Sequence, residues 1–319
     1  MNTKPAISLL FVICYLLFAL SCKTAPKTTF TMPDENSSIP LDSGALGYIF
    51  VDVKNSRPIL KYINFNNMDD KQFQQMLDST QFAAAALYPP LSPRRYQLVA
   101  WGNYPSSRAK MALGASKDWE KVHSPASGAW YWHSEQQKLS IAVDSHQVFM
   151  LAVRGKSAAD ALLNISTDDT PTDPFFTAPG VTIPQGFGAL SKGAVLSCWF
   201  DNPGTLINPK FQAMGIPFEF PAQRFFISLF PLVEEQQKEQ RYEAHLRIQV
   251  SNETQARALA TVFNIARTFL TPQASSDDIA VIASILFAKA PVLDGKNFNI
   301  TTAPLSGKEL ALLFKIFSL

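Results

Sequence analysis

The sequence predicts an α+β protein built from two tandem, duplicated domains, each of them a mostly antiparallel sheet covered by helices. Three observations lead to this prediction. Segments in which a strand runs into a helix recur along the chain, neighbouring strands are joined by short polar turns, and the chain resembles itself at a shift of 146 residues, which carries Gly47 onto Gly193. Strands and helices mixed in this way favour a sheet that carries its helices on one face.

The recurring unit is a strand followed directly by a capped helix. It is predicted for "RRYQLVAWGNYPSSRAKMAL" (residues 94–113) and for "QRYEAHLRIQVSNETQARAL" (240–259), each with a Ser or Asn cap. It recurs in "QVFMLAVRGKSAADALL" (147–163) and in "FNITTAPLSGKELALLF" (298–314). In the last segment Ser306 and Glu309 have the spacing of a capping box, which marks the start of a helix.

Two hairpins are predicted from strand pairs that flank a polar turn. They lie in "AWYWHSEQQKLSIAV" (129–143) and in residues 224–250, where partial alternation surrounds the charged stretch "EEQQKEQ". Hairpins bring neighbouring strands together in an antiparallel sense, and the strand order beyond them stays open.

The self-similarity supports a duplication through residue pairs and through the local patterns around them. The aligned identical pairs are Gly47 and Gly193, Leu60 and Leu206, Phe65 and Phe211, Met68 and Met214, Arg95 and Arg241, Tyr96 and Tyr242, Ala112 and Ala258, and Leu113 and Leu259. Between the two halves lies a stretch dense in Pro, Gly, Thr and Asp, which predicts a linker over residues 166–188. The predicted domains are therefore residues 44–165 and 189–319.

The first residues have the layout of a secretory signal, predicted for residues 1–21. A short basic start, "MNTK", precedes an apolar run from Pro5 to Leu20, and Cys22 and Lys23 follow. The run is shorter than the roughly 20 consecutive apolar residues of a transmembrane helix. Ordinary cleavage without lipidation and an uncleaved anchor remain alternatives.

The end of this signal, "ALSC", resembles the lipobox of bacterial lipoproteins. The resemblance implies that Cys22 carries diacylglycerol and a fatty acyl group such as palmitate, and that it is the mature N-terminus. Residues 22–43 then form a lipidated, flexible tether, since they are rich in Thr, Pro, Ser and charge. Lys23 after the lipid cysteine, where enteric-type retention at the inner membrane uses Asp, favours the outer membrane over the inner.

The charge pattern argues against a nucleic-acid-binding protein, and the cysteine content argues against domains stabilised by disulfides. The formal net charge is +2, with 28 basic and 26 acidic residues interspersed, which lacks the basic stripe of a nucleic-acid-binding protein. Of three cysteines, only Cys198 lies in the predicted domains, so no internal disulfide is expected there. Because it lies in the apolar run "GAVLSCWF", Cys198 is predicted to be a buried small side chain.

No motif for catalysis, metal binding or cofactor binding stands out, so neither enzymatic activity nor a metal or cofactor is predicted. The four histidines have no metal-ligand spacing. Ser107 and Lys110 match an S-x-x-K pattern, but a helix-capping serine and a solvated lysine explain it. Asp144 and His146 lie close in sequence without a serine elbow to complete a hydrolase triad.

The unusual feature is apolar and aromatic. Phenylalanines cluster in "GIPFEFPAQRFFISLFP", and the segments "DDIAVIASILFAKAP" and "KELALLFKIFSL" are apolar around most of a helix. About half of these side chains are expected in the core, and the others are candidates for contact with an apolar ligand or a membrane. The candidate residues are Phe218, Phe220, Phe225, Phe226, Phe314 and Phe317.

The leading functional hypothesis is a membrane-anchored envelope lipoprotein that is not an enzyme. It would bind an apolar ligand, a membrane surface or a protein partner, and no nucleic acid. The alternatives are a purely structural or surface-interaction lipoprotein without a small ligand, and an envelope hydrolase using Ser107 or His146.

Overall fold

A computed structural model of the 319-residue chain provides the structure. It describes residues 32–33, 41, 44–60, 74, 77–88, 95–123, 130–143, 147–152, 181, 183–213, 219–232, 239–270, 281 and 284–316. The chain divides into two compact units. The first unit comprises Met1–Asn55 and Asn64–Gly188, and the second comprises Ser56–Ile63 and Ala189–Leu319.

The sheet of the first unit is antiparallel between all neighbouring strands. Its strand order is β1-β2-β3-β7-β6-β5-β4. In chain order the elements are β1 Gly47–Asp52, α1 Val53–Leu60, β2 Thr80–Tyr88, β3 Arg95–Gly102, α2 Ser106–Ala115, β4 Glu120–His123, β5 Trp130–Ser134, β6 Leu139–Val143, β7 Gln147–Ala152 and α3 Phe187–Ser191. Most of α1 belongs to the second unit, whose residues begin again at Ser56.

The second unit has a shorter antiparallel sheet in the order β8-β9-β10-β12-β11, and β13 pairs with the start of β10. The elements are β8 Leu196–Asp201, α4 Gly204–Ala213, β9 Ala222–Leu232, β10 Arg241–Val250, α5 Glu253–Leu270, β11 Val292–Asp294, β12 Asn297–Thr301, β13 Leu305–Ser306 and α6 Gly307–Ile316. A two-residue loop with Gly295 at φ 55° joins β11 to β12.

The structure confirms the α+β class, the antiparallel sheets and both predicted hairpins. The hairpins are β5 with β6 and β9 with β10. Along the chain, β1, α1, β2, β3 and α2 follow one another in the same order of strand, helix, two antiparallel strands and helix as β8, α4, β9, β10 and α5. The duplication stays a prediction, as do the domain boundaries 44–165 and 189–319 and the linker 166–188, most of which lies outside the described residues.

Local hydrogen bonds explain where the helices begin. Ser306 and Glu309 form the predicted capping box, since each backbone N–H donates to the other residue's side chain at 2.7 and 3.2 Å. Asn252 caps α5 by accepting from the backbone N–H of Gln255 at 3.0 Å. The predicted serine cap of α2 is wrong, because Pro105 occupies the N-cap position and provides no side-chain cap bond.

In the first unit, α2 covers one face of the sheet. Ala109 and Leu113 of this helix are fully buried among side chains from the central and outer strands. The strand and loop members of this cluster are Ala100, Tyr104, Trp119, Trp132, Leu139, Ile141, Val143 and Val148. The helix is therefore held by apolar packing, which compensates for the missing cap.

In the second unit, two apolar clusters lie on the same face of the sheet. One packs Ala256 and Leu259 of α5 against Ile248, Phe298 and other strand residues. The other brings together Ile59 of α1, Leu310 of α6, Ile285, Val195, Leu229, Tyr242, Ala244 and Leu305. The C-terminal half of α1 therefore belongs to the core of the second unit.

At Gly102, at the end of β3, the backbone passes close to the backbone of Ser79. The backbone N–H of Asn103 donates to Ser79 O at 2.8 Å, and a Cβ at position 102 would lie 1.9 Å from that oxygen. We expect Gly102→Ala to lower the free energy of unfolding by about 2 kcal/mol or more, measured by urea denaturation. Gly114→Ala, which meets nothing within 4 Å in α2, is the control and should stabilise by up to about 1 kcal/mol. Equal stability of the two variants would contradict the close approach.

Cys198 is 5% exposed, as predicted, and burial raises the pKa of its thiol to about 12. Because the thiolate is the reactive species, we expect iodoacetamide at pH 8 to leave Cys198 unmodified in the folded protein and to alkylate it in urea. The protein is prepared without residues 1–23, so that Cys198 is its one cysteine. Mass spectrometry then measures the fraction of protein that is alkylated. Rapid alkylation of the folded protein would show that the thiol is accessible.

Candidate functional site

The residues proposed from the sequence are only partly open to a structural test. Cys22, Phe218 and Phe317 lie outside the described residues, and of Phe314 the structure gives its place in α6. Phe226 is 5% exposed. Phe220 and Phe225 are half-buried and pack against the apolar cluster beneath α5. These last three side chains contribute to the interior, and their contact with an apolar ligand or membrane stays a prediction.

The exposed apolar residues of the second unit lie elsewhere, on α5. Val262 and Ile265 are 50% and 52% exposed. With Ala258, which is also exposed, they follow the i, i+4, i+7 spacing that places residues on one side of a helix. Helical spacing in the sequence places Val262 with Leu259 and Phe263 on one apolar stripe, which predicts that all three face the sheet. For Val262 this prediction is wrong. The buried arc is centred on Ala256 and Leu259, and residue 262 falls beyond its edge.

A second exposed apolar segment is strand β11. Val292 is 65% exposed and Leu293 is 41% exposed, and the strand pairs with β12 on one side. Leu293 lies opposite Phe298, so it shares the face on which α5 packs. The strand at the end of the first unit's sheet differs, because β4 carries Glu120, Lys121 and His123. Charged residues of that kind protect an edge strand, and β11 has apolar side chains in their place.

A polar cluster occupies the opposite face of the second unit's sheet. Glu243 accepts from Lys289 Nζ at 2.6 Å, and its other carboxylate oxygen lies 2.7 Å from His245 Nε2. Burial acts to raise the pKa of Glu243, but the hydrogen bonds and charges of Lys289 and His245 outweigh it and lower that pKa. The ring of His245 also contacts Phe230 at a centroid distance of 4.7 Å.

Sequence reasoning missed a histidine and serine pair in the first unit. His133 Nδ1 lies 2.8 Å from Ser140 Oγ, and Glu135 Oε1 lies 3.3 Å from His133 Nε2. Only the β5–β6 register brings them together, since the two residues are directly opposite one another. His133 and Ser140 are 1% and 3% exposed, so a substrate does not reach the hydroxyl in this structure.

The other proposed catalytic groups do not form a site in the described part of the chain. Ser107 lies in the first turn of α2, Lys110 is exposed on that helix, and His146 is outside the described residues. Across the described residues, no group of three or more His, Cys, Asp or Glu side chains could hold a metal ion. None of the described helices combines the length and the apolar character needed to cross a membrane.

The chain matches the family model "Outer membrane-associated lipoprotein TP0453" over residues 39–282. It therefore belongs to this family of outer membrane-associated lipoproteins. Family membership confirms the predicted lipid-anchored location at the cell envelope, with the outer membrane favoured over the inner. Lipidation at Cys22 stays a prediction, because the matched residues begin after it.

Solved structures of TP0453 have a similar fold. Crystal form III has a TM-score of 0.55 and 15% identity, covering 88% of this chain and 97% of that one. Crystal form IV has a TM-score of 0.55 and 16% identity, with 87% and 97% covered. Crystal form I has a TM-score of 0.52 and 15% identity, with 88% and 99% covered. No curated protein matches the chain.

The cluster around Glu243 predicts how stability depends on pH. Its folded pKa is lower than the ordinary 4.5, so its stabilisation is present above that value and is lost as the pH falls through the lowered pKa. We expect Glu243→Gln to be less stable than the wild type at pH 7, with the difference shrinking below pH 4.5. Urea denaturation at several pH values measures it. Glu253→Gln, at an exposed helix ion pair, is the control. A difference that does not change with pH would contradict the ionic role of Glu243.

Proposed function

We propose that this protein is a non-enzymatic, lipid-anchored module of the outer membrane, and that its second unit makes an additional contact with a lipid surface through α5. The observation that supports this most directly is the half-exposure of Val262 and Ile265 on one side of an 18-residue helix. The opposite side of the same helix packs on the sheet. An amphipathic helix with apolar side chains on its outer surface is suited to lying in the interfacial region of a bilayer.

The expected energy of this contact is small, which explains the need for an anchor. Fully burying a valine or isoleucine contributes about 1.5–3 kcal/mol, so two half-exposed side chains contribute about 2 kcal/mol together. Such a contact is weak for a free protein in solution. A protein already held at the membrane by a lipid has a high effective concentration near the surface, and a weak second contact then becomes populated.

The anchor in this proposal is diacylglycerol and palmitate on Cys22, followed by the tether of residues 22–43. The 18 residues from Lys23 to Pro40 span on the order of 60 Å when extended at about 3.3 Å each. A tether of this length lets α5 turn toward the membrane without strain in the chain. Two or more acyl chains are also what stable membrane attachment requires.

A protein partner is the second candidate, and β11 is the observation that favours it. An edge strand with the exposed side chains Val292 and Leu293 is able to pair with an extended segment of another chain. This corresponds to the structural or surface-interaction alternative. A hydrolase is less well supported, because His133 and Ser140 are buried and the groups around Ser107 do not converge.

We also infer that the two units arose by duplication. The support is the succession of strand, helix, hairpin and helix that occurs twice along the chain, together with the identical residues that recur at the shift of 146.

The membrane contact is tested with the mature chain carrying Cys22→Ser, which removes the anchor. We expect flotation with vesicles of phosphatidylethanolamine and phosphatidylglycerol to be at least about tenfold weaker for Val262→Asp with Ile265→Asp, since burying the added carboxylates is costly. Met111→Asp, at a 73% exposed site on α2, is the matched control and should leave binding unchanged. Equal vesicle binding by the double variant and the wild type would reject a membrane contact through α5.

A further inference from the structure

Alternation along β10 divides its side chains between two different environments. Tyr242, Ala244 and Ile248 face the helices and belong to the two apolar clusters. Glu243, His245 and Arg247 lie on the other face of the sheet, because successive strand residues point to opposite sides. Phe226 and Trp199 lie on this second face as well and are buried, so the face is mixed, with its polar side chains concentrated on β10.

Arg247 is held on this face by a neutral partner. Its Nε donates to Asn299 Oδ1 at 2.7 Å, and Asn299 Nδ2 donates in turn to the backbone oxygen of Val292 at 3.2 Å. The second bond fixes the orientation of the amide, and the amide then fixes the plane of the guanidinium. An asparagine leaves the positive charge of the arginine uncompensated, whereas an aspartate would neutralise it.

Two other cations on this face are paired with carboxylates. Arg224 on β9 donates to Asp201 at 2.6 Å, and Lys289 donates to Glu243 at 2.6 Å. Arg241, at the start of β10, is exposed to solvent, which screens its charge. Among the described residues, no carboxylate pairs with Arg247, although it is partly buried like Arg224. A half-buried, oriented guanidinium without a counter-charge is costly unless an anion from outside the chain binds to it.

The neighbours of Arg247 supply further hydrogen-bond donors. His245 lies two residues away on the same face, about 7 Å along the strand, and is 46% exposed. Thr301 on β12 is directly opposite His245, so its side chain shares that face. Nε2 of His245 already bonds to Glu243, so the ring has only Nδ1 to offer an outside anion. The guanidinium fork of Arg247, the hydroxyl of Thr301 and this Nδ1 in the protonated ring suit an anion with three or more acceptor oxygens, which a phosphate group has and a carboxylate lacks.

We propose that Arg247, with His245 and Thr301 beside it, forms a binding site for a phosphate group on the sheet face opposite α5. His245 is exposed and Arg247 is partly exposed, so the phosphate belongs to a small soluble phosphate ester or to a phospholipid headgroup. Since Arg247 and α5 lie on opposite faces of the sheet, this site is independent of the proposed membrane contact.

The test uses the mature chain with Cys22→Ser and two probes, inorganic phosphate and micelle-free dihexanoylphosphatidic acid. Binding is measured by isothermal titration calorimetry and by the shift of the arginine Nε–H signals in NMR. We expect Arg247→Gln to bind the probe at least about tenfold more weakly than the wild type. Arg224→Gln removes the same charge from the same face, but that charge is already paired with Asp201, so binding should change less than about twofold.

A second variant keeps the fold and supplies the missing carboxylate. Asn299→Asp should pair with Arg247 internally and so abolish phosphate binding. Its carboxylate loses the bond that Asn299 Nδ2 donates to the Val292 oxygen, and the new ion pair offsets that loss, so the melting temperature should change little. Binding of both probes with similar affinity would assign the site to the phosphate group alone, and binding of the lipid alone would assign it to a headgroup.

The proposal is overturned if the wild type shows no saturable binding of either probe up to about 10 mM, or if Arg247→Gln and Asn299→Asp bind as the wild type does. The double variant Val262→Asp with Ile265→Asp separates this result from the membrane proposal. We expect it to bind both probes as the wild type does, since Arg247 lies on the other face of the sheet and is unchanged.

Discussion

The second unit depends on strand β10, which pairs with β9 along its length and with β12 and β13 on its other side. A strand in this central position has its backbone groups bonded on both sides, so its two faces differ only in their side chains. One face presents Tyr242, Ala244 and Val250, all buried, and the helices pack on it. The alternation of one strand therefore decides which face receives α5 and which carries Glu243, His245 and Arg247.

The helices in turn determine the surface of the unit. Because α5 uses Ala256, Leu259 and Phe263 against the sheet, the apolar residues outside that arc remain exposed. Phe263 also contacts the rings of Phe287 and Phe298, at centroid distances of 4.6 and 5.5 Å. This aromatic contact orients the helix about its axis. The exposure of Val262 and Ile265 thus follows from the rotation of the helix that packs its core residues.

Buried polar atoms show where this packing is less complete. The hydroxyl of Tyr242 has no hydrogen-bond partner among the described residues, and burial raises its pKa to about 12. Ser197 and Ser228, by contrast, bond to each other at 3.0 Å across β8 and β9. A buried polar group without a hydrogen bond costs free energy of folding. The Tyr242 hydroxyl therefore lowers the stability of the apolar cluster around it.

The sequence by itself determined the features that depend on neighbours along the chain: the α+β class, the two hairpins, the capping box of Ser306 and Glu309, and the burial of Cys198. Each rests on periodicity or on a bond spanning a few residues. Only the tertiary structure decided that Val262 faces outward, that His133 meets Ser140, and that Asn299 holds Arg247 from 52 residues away. Those outcomes depend on strand register and helix rotation, which long-range packing sets and which no local pattern encodes.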